Sequence, residues 1–314
     1  MTLRRSALLT GPGRIEIVEE QLPPPGPSQV LVETHLGSVS VGTELAQYLG
    51  AEPRMRGARY PLMTGYENVA TVVALGGDVA PAWLGRRVLA SYGHHTAALL
   101  DVERLIAIPD NIPDELALLT ILAADAGRAV EHAALDGSER CLILGAGALG
   151  LLTLLNLQRA GAERITVVDI DRGRLTLPAA LGAETVEPDA VVERAVSAPV
   201  AFECSAAPRA FLLAQRLVSS GGRIVVVSDG NAGDLVLADE FHDKELTVVG
   251  SNSHPDLPAY AAAFLTEAVD GRFDAYGAIF DSAVALEELP ALFERMAAGK
   301  RVRKPLVHCV SEPG

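Results

Sequence analysis

The 314-residue chain holds only three cysteines, Cys141, Cys204 and Cys309, scattered along its length. An odd, dispersed set supplies neither a disulfide framework nor a CxxC zinc site. Cys141 sits in an apolar run and reads as a small buried residue. Positive charge is also short: 26 Lys and Arg stand against 40 Asp and Glu, a formal net charge of −14. That balance argues against a polyanionic partner, whether nucleic acid or an anionic membrane. A dinucleotide held by local groups remains compatible with it. No uninterrupted apolar run reaches membrane-spanning length. The start, MTLRRSALLTGPGRI, breaks at Gly11-Pro12-Gly13 before a signal-peptide core forms, so a cytoplasmic protein is expected. Repeats and low-complexity tracts are missing, and the Pro-rich QLPPPGPSQ at 21–29 reads as a loop between strands. What is present is ample core material: 49% hydrophobic against 21% charged residues, in a length that suits two domains.

The most informative stretch is RCLILGAGALGLLTLLNLQRAGAERITVVDIDRGRL at 140–175. An apolar run over 141–144 meets Gly145-Ala146-Gly147-Ala148-Leu149-Gly150, a helical pattern follows to Ala160, and a second β-rich run over 165–168 ends on Asp169. This is GxGxxG in the strand–turn–helix setting of a dinucleotide site, with an acid about 20 residues on. Gly145 permits the tight turn, Gly147 lets backbone approach a pyrophosphate, and Gly150 lets helix and strand pack closely. The helix N-terminus offers N–H groups and a positive dipole end to phosphate. A carboxylate at Asp169 accepts hydrogen bonds from ribose hydroxyls and repels a 2′-phosphate, which favours NAD over NADP.

Around this motif the pattern changes twice. The first hundred residues read as short strands, 14–20, 29–39, 70–76 and 86–91, with Gly/Pro turns between them, as in a small barrel-like domain. Residues 113–135 switch to helical periodicity, with Asp114 and Glu115 in the first turn. Strands at 141–144, 165–168, 199–203, 223–228 and 246–250 then alternate with helices, which predicts a parallel sheet. Helices near 257–270 and 287–299 and a strand at 304–308 close the chain. The expected fold is α/β: a doubly wound parallel sheet inserted into a β-barrel domain. Its boundaries fall at 1–127, 128–253 and 254–314, with a cofactor cleft between the domains at the carboxyl ends of the strands.

Several further motifs carry a resemblance: Gly42-Thr43-Glu44, Gly65-Tyr66-Glu67, Gly85-Arg86-Arg87-Val88, GAGALG with Asp169, Phe202-Glu203-Cys204 and Lys244-Glu245-Leu246. Together they resemble the medium-chain dehydrogenase/reductase superfamily, alcohol-dehydrogenase-like enzymes with a GroES-like catalytic domain. The pattern SVSVGTE with TGYE is most similar to the subgroup containing bacteriochlorophyllide hydroxyethyl dehydrogenase. The resemblance implies an NAD-linked oxidoreductase acting on a secondary alcohol/ketone pair. It leaves open a zinc-free quinone or enone reductase, or an idle NAD-binding homologue.

The chain departs from the zinc-dependent members where they bind metal. Val41 and Tyr66 stand at the Cys and His of the family's two zinc-ligand motifs, and the four-cysteine structural lobe is missing. No zinc is expected, although Glu67, Asp125 and one of His94 or His95 form an alternative donor set. By resemblance Thr43 lies beside the substrate oxygen. Tyr66 either donates to a carbonyl oxygen or fills the vacated pocket. Glu44 and Glu67 serve either as general base or as structural carboxylates. His94 and His95 read as neighbours on a strand, so only one faces the cleft, and His95 is preferred. Arg128 contacts phosphate or solvent.

Cofactor contacts carry over position by position. Gly145, Gly147, Ala148, Leu149 and Gly150 hold the pyrophosphate, Asp169 the ribose, and Arg174 stacks near the adenine. Ser205 flanks the adenosine, and Val227 and Ser228 touch the nicotinamide carboxamide. Arg303 pairs with the pyrophosphate or is one more charge in a basic run. LTVVG at 246–250 is an expected edge strand, through which the resemblance implies a homodimer.

Overall fold

The structure, a computed structural model, describes residues 1–51, 57–194, 196–229, 233–268 and 273–309. The chain divides into two compact units, Met1–Thr120 with Ala261–Gly314, and Ile121–Tyr260. The division follows Thr120 and Tyr260, each inside a helix, where boundaries after residues 127 and 253 were expected. Periodicity marks where a helix runs, not which core each of its turns joins.

The first unit opens with β1 (Thr2–Gly11) and β2 (Arg14–Leu22), an antiparallel hairpin. Next come β3 (Gln29–Ser38), α1 (Val41–Tyr48), β4 (Leu62–Met63), β5 (Glu67–Leu75), β6 (Arg87–Ala90), β7 (Ala97–Asp101) and β8 (Ile106–Ala107). Helix α2 (Asp114–Ala133) follows, within a residue or two of its expected span.

In the second unit strands and helices alternate: β9 (Cys141–Leu144), α3 (Ala148–Arg159), β10 (Ile165–Val168), α4 (Thr176–Ala180), β11 (Glu184–Val186), α5 (Pro188–Glu193), β12 (Ala198–Glu203), α6 (Pro208–Leu217), β13 (Val218–Val226), α7 (Asp239–Asp243) and β14 (Thr247–Gly250). They form a six-stranded sheet of order β11-β10-β9-β12-β13-β14, parallel throughout. Every residue of β9 and β10 is buried, as parallel strands covered on both faces require. One core cluster packs Ile143, Leu154, Val167 and Phe202, a second Leu142, Val168, Phe211 and Ile224. Cys141 lies in the first cluster, as its sequence context indicated. Adjacent residues of β9 and β10 thus supply opposite faces of the sheet.

After α8 (Leu257–Ala268) come α9 (Phe273–Gly277), β15 (Ser282–Ala285), α10 (Leu289–Ala297) and β16 (Pro305–His308). The last strand returns to the first unit by pairing antiparallel with β3. The resulting sheet follows the order β15-β16-β3-β5-β6-β8, with β7 also on β3, and a smaller sheet joins β2-β1-β4. Val39, Tyr48, Leu286, Phe293 and Val307 bury a common core between α10 and these strands. Among the described residues, no helix is long and apolar enough to cross a membrane.

Candidate functional site

In the second unit the strand order runs outward in both directions from β9 and β12, which makes their carboxyl ends the switch point where ligands bind in such sheets. The glycine turn lies there. Gly145 has φ +111°, a conformation that side chains disfavour, and a Cβ on it would lie 3.0 Å from that of Ser205. A Cβ on Gly150 would meet the Gly145 carbonyl oxygen at 1.9 Å, so only glycine lets α3 start this close to β9. The Cβ position of Gly147, by contrast, has no neighbour within 4 Å. Gly147 is the N-cap of α3 and makes no side-chain cap bond, and Ala148, Leu149 and Gly150 form the helix's first turn. Free space in front of a helix N-terminus suits a phosphate.

Asp169 follows β10 directly. Its Oδ2 accepts the Ala146 N–H at 2.7 Å and its Oδ1 the Asp171 N–H at 2.8 Å, which ties the carboxylate to the glycine turn. Arg174 is half-buried nearby in sequence, its N–H donating to the Asp171 carbonyl at 3.0 Å. Beyond β12 and β13, the Ser205 N–H (2.8 Å) and hydroxyl (2.5 Å) donate to Glu203 Oε1, and the Ser228 hydroxyl donates to Glu203 Oε2. The Val227 N–H donates to the Glu203 carbonyl at 2.9 Å. Sequence analysis had placed Ser205, Val227 and Ser228 but gave Glu203 no role. Arg128 is paired with Glu131 at 2.8 Å. Arg303 belongs to the first unit, where its N–H donates to Asp281 Oδ2 at 2.6 Å and its guanidinium to the Ala278 carbonyl at 3.1 Å.

In the first unit, α1 carries Thr43 and Glu44, and the turn before β5 carries Tyr66. Glu44 is buried and reaches back to the helix start: Oε1 accepts the Ser40 N–H at 2.7 Å. Its Oε2 accepts the Thr64 hydroxyl and pairs with His94 Nε2, both at 2.9 Å. Ser40 is the N-cap of α1, so Glu44 fixes the backbone that presents Ser40 and Thr43. The hydroxyls of both residues are hydrogen-bonded to the Tyr66 phenol. Burial, reinforced by the negative charge of Glu67, raises the Tyr66 pKa above the ordinary phenol value, and the Ser40 and Thr43 bonds only partly oppose it. The result is a pair of hydroxyls around a phenol that keeps its proton. Ser40 was missed; its position one residue before the Val41-Gly42-Thr43 helix start was the available signal.

Glu67 is the first residue of β5 and fully buried. Its Oε2 accepts from Lys304 Nζ at 2.5 Å and from the Ser38 hydroxyl. Glu44 and Glu67 are thus each held by hydrogen-bond partners, as the structural one of their two expected roles requires. The histidine expectation needs a correction. His94 and His95 lie in the loop before β7, not on a strand, and both are buried. It is His94 that joins Glu44. His95 stacks against Tyr92 with ring centroids 6.3 Å apart. Burial foremost, then the charges of Arg4 and His94, lower its pKa to about 4.

With this geometry in view, the likeness to known proteins is specific. Residues 148–281 match the zinc-binding dehydrogenase family model. An L-threonine 3-dehydrogenase from Chelativorans sp. (strain BNC1) is 30% identical over 198 residues, which cover 52% of this chain and 56% of that enzyme, so the chain spans about half the length of this relative. The (R,R)-butanediol dehydrogenase of Bacillus subtilis (strain 168) is 28% identical over 287 residues, covering 78% of this chain and 82% of that enzyme. Among solved structures, a zinc-binding dehydrogenase from Sinorhizobium meliloti 1021 bound to NADP superposes with a TM-score of 0.84 at 22% identity, over 98% of this chain and all of that one (100%). An alcohol dehydrogenase from Escherichia coli CFT073 complexed with NADH superposes with a TM-score of 0.79 at 18% identity, covering 98% of this chain and 100% of that one. Each of these likenesses is to a dehydrogenase. The fold they share is the α/β architecture with a Rossmann-like parallel sheet.

The matched family model's name implies zinc. Among the described residues, no group of three or more His, Cys, Asp or Glu is placed to hold an ion. Cys309, the cysteine of the first unit, is buried, and burial pushes its thiol up to about 12. Lys304 pairs with Glu67 at 2.5 Å and Glu44 with His94 at 2.9 Å, so these two candidate donors already hold other partners. The donor set does not fit zinc. The nicotinamide dinucleotide fares differently: the open face at Gly147, the uncapped start of α3 and the carboxylate after β10 fit its pyrophosphate and ribose.

Proposed function

We propose that the protein is a zinc-independent oxidoreductase that interconverts a secondary alcohol and a ketone on a small or medium-sized metabolite, with NAD as the preferred cofactor. The observation that carries this reading is the space at Gly147 before the α3 N-terminus, bordered by Asp169. Bound there, the dinucleotide would give or take hydride at the substrate carbon. The α3 N–H groups and Gly147 backbone hold its pyrophosphate, and the Asp169 carboxylate holds the adenosine ribose and disfavours a 2′-phosphate. Ser205, Val227 and Ser228 line the same strand ends, with Arg174 toward the adenine. Arg303 is a further candidate for the pyrophosphate.

The proton side falls to the hydroxyl cluster. Tyr66 keeps its proton, so it donates a hydrogen bond to a carbonyl oxygen and stabilises the charge that develops there as hydride arrives. Thr43 and Ser40 orient the phenol, and the proton that the alkoxide takes up comes from solvent along this hydroxyl chain. Glu44, Glu67 and His95 are positioning groups: Glu44 pins the start of α1, Glu67 sets the field at Tyr66, and His95 packs the neighbouring loop. The dehydrogenase relatives support an alcohol/ketone substrate pair. We also infer a homodimer joined along β14, the exposed end of the six-stranded sheet. Titrating the protein with NADH and NADPH, then screening alcohols and ketones by reduced-cofactor absorbance, tests the reading. Tighter NADPH binding overturns the cofactor assignment, and cofactor binding without turnover on any alcohol or ketone overturns the activity.

A further inference from the structure

We propose that Glu203 is a positioning residue that fastens the loops after β12 and β13 into one wall of the dinucleotide site. The inference rests on the cofactor reading above. Glu203 ends β12, pairs in register with Leu144 of β9 and Val226 of β13, and is fully buried. Its side chain takes three donors from two different loops: the N–H and hydroxyl of Ser205 at 2.8 and 2.5 Å, and the hydroxyl of Ser228. Its carbonyl takes two more, the N–H groups of Val227 at 2.9 Å and Ser228 at 3.0 Å.

An apolar side chain would satisfy the strand's core equally well. A carboxylate is expensive to bury and is retained only where donors converge on it. Here all its side-chain donors come from beyond the strand ends, on the side where the glycine turn lies. Ser205 in turn backs that turn: its Cα and N lie 3.1 Å from the Cβ position of Gly145. A displaced Ser205 therefore disturbs Gly145, and a displaced Ser228 moves Val227. One buried carboxylate thereby sets the pyrophosphate turn and the end of β13 together. Both serine hydroxyls are spent as donors to Glu203, so these loops meet the cofactor chiefly through backbone and shape.

The test is NADH affinity, measured by fluorescence titration, in wild type, Glu203→Ala, Ser228→Ala, the double variant and Glu203→Gln. Each alanine variant should weaken binding about tenfold, the loss of roughly one charge-assisted hydrogen bond. The double variant should be no weaker than Glu203→Ala, because both changes open the same clasp. Glu203→Gln should recover most of the affinity: its amide oxygen still accepts from Ser205, and its NH2 donates to the Ser228 hydroxyl. Ser228→Ala should bind weakly while unfolding at nearly the wild-type temperature, which a purely structural role would not produce. Additive losses, a glutamine variant as weak as alanine, or wild-type affinity throughout would overturn the proposal. A wild-type protein that binds neither NADH nor NADPH overturns the cofactor reading first, and this inference with it.

Discussion

Lys304 Nζ donates to Glu67 Oε2 at 2.5 Å, and neither side chain is exposed. The pair lies at the end of β3, where Ser38 is in register with both Glu67 of β5 and Leu306 of β16. It fastens the returning C-terminal strand to the turn that carries Tyr66. It also leaves a carboxylate charge beside that phenol, one of the three influences, with burial and the Glu44 charge, that hold its proton in place.

Removing the lysine should therefore cost more than an ordinary surface charge. Lys304→Met strands a buried carboxylate and is expected to destabilise the first unit by about 3–5 kcal/mol in urea unfolding. Adding Glu67→Gln should return much of that loss. A Lys304→Met protein as stable as wild type would show that the pair is unimportant.

His95 gives a pH signature. Folding lowers its pKa from 6.5 to about 4, chiefly by burial, so between those values the unfolded chain binds more protons than the folded one. Its contribution is intact above about pH 6.5, declines as pH falls toward 4, and changes no further below. The shift corresponds to roughly 3 kcal/mol. Unfolding measured at several pH values should show a steeper acid loss for wild type than for His95→Gln; identical slopes would refute the burial argument.

At Asp169 the expected effect is on cofactor choice. Asp169→Ser removes the carboxylate that borders the glycine turn. NADH affinity should fall about tenfold and NADPH affinity should fall less or rise, since one charge–phosphate repulsion of roughly 1.4 kcal/mol is lifted. An unchanged NADPH to NADH preference would contradict the role given to Asp169.

The β14 edge predicts assembly. Val249→Lys places a charge on the edge strand and should convert a dimer to a monomer in light scattering, with the secondary-structure spectrum unchanged. A wild-type monomer at micromolar concentration would count against the dimer.

The parts of the fold that sequence analysis recovered are local. The glycine turn, Asp169 and the β9–α3–β10 unit lie within one short stretch where strand and helix periods alternate, and the structure builds them as expected. β14 is likewise at the sheet edge. Strands β4, β7, β8, β11 and β15 escaped because two to five residues carry too little alternation, and the ten-residue β1 was missed as well. At the candidate site, what was missed is long-range. Glu44 meets His94 across 50 positions and Glu67 meets Lys304 across 237. No periodicity reports such partners, so two buried carboxylates held by distant residues could not be told from free ones. Glu203 was legible as part of Phe202-Glu203-Cys204, but its two serine partners lie in separate loops.

The central claim, hydride transfer with protein hydroxyls in place of zinc, is tested most directly by reduced-cofactor turnover after exhaustive chelation, comparing wild type with Tyr66→Phe and Thr43→Ala. Turnover should survive chelation and fall by a factor of about 10²–10³ in Tyr66→Phe, the loss of one oxyanion donor. Because burial raises the phenol's pKa, wild-type kcat/KM should show no limb from its ionisation up to about pH 10. Turnover that disappears on chelation and returns with zinc, or that is indifferent to both substitutions, would contradict the account.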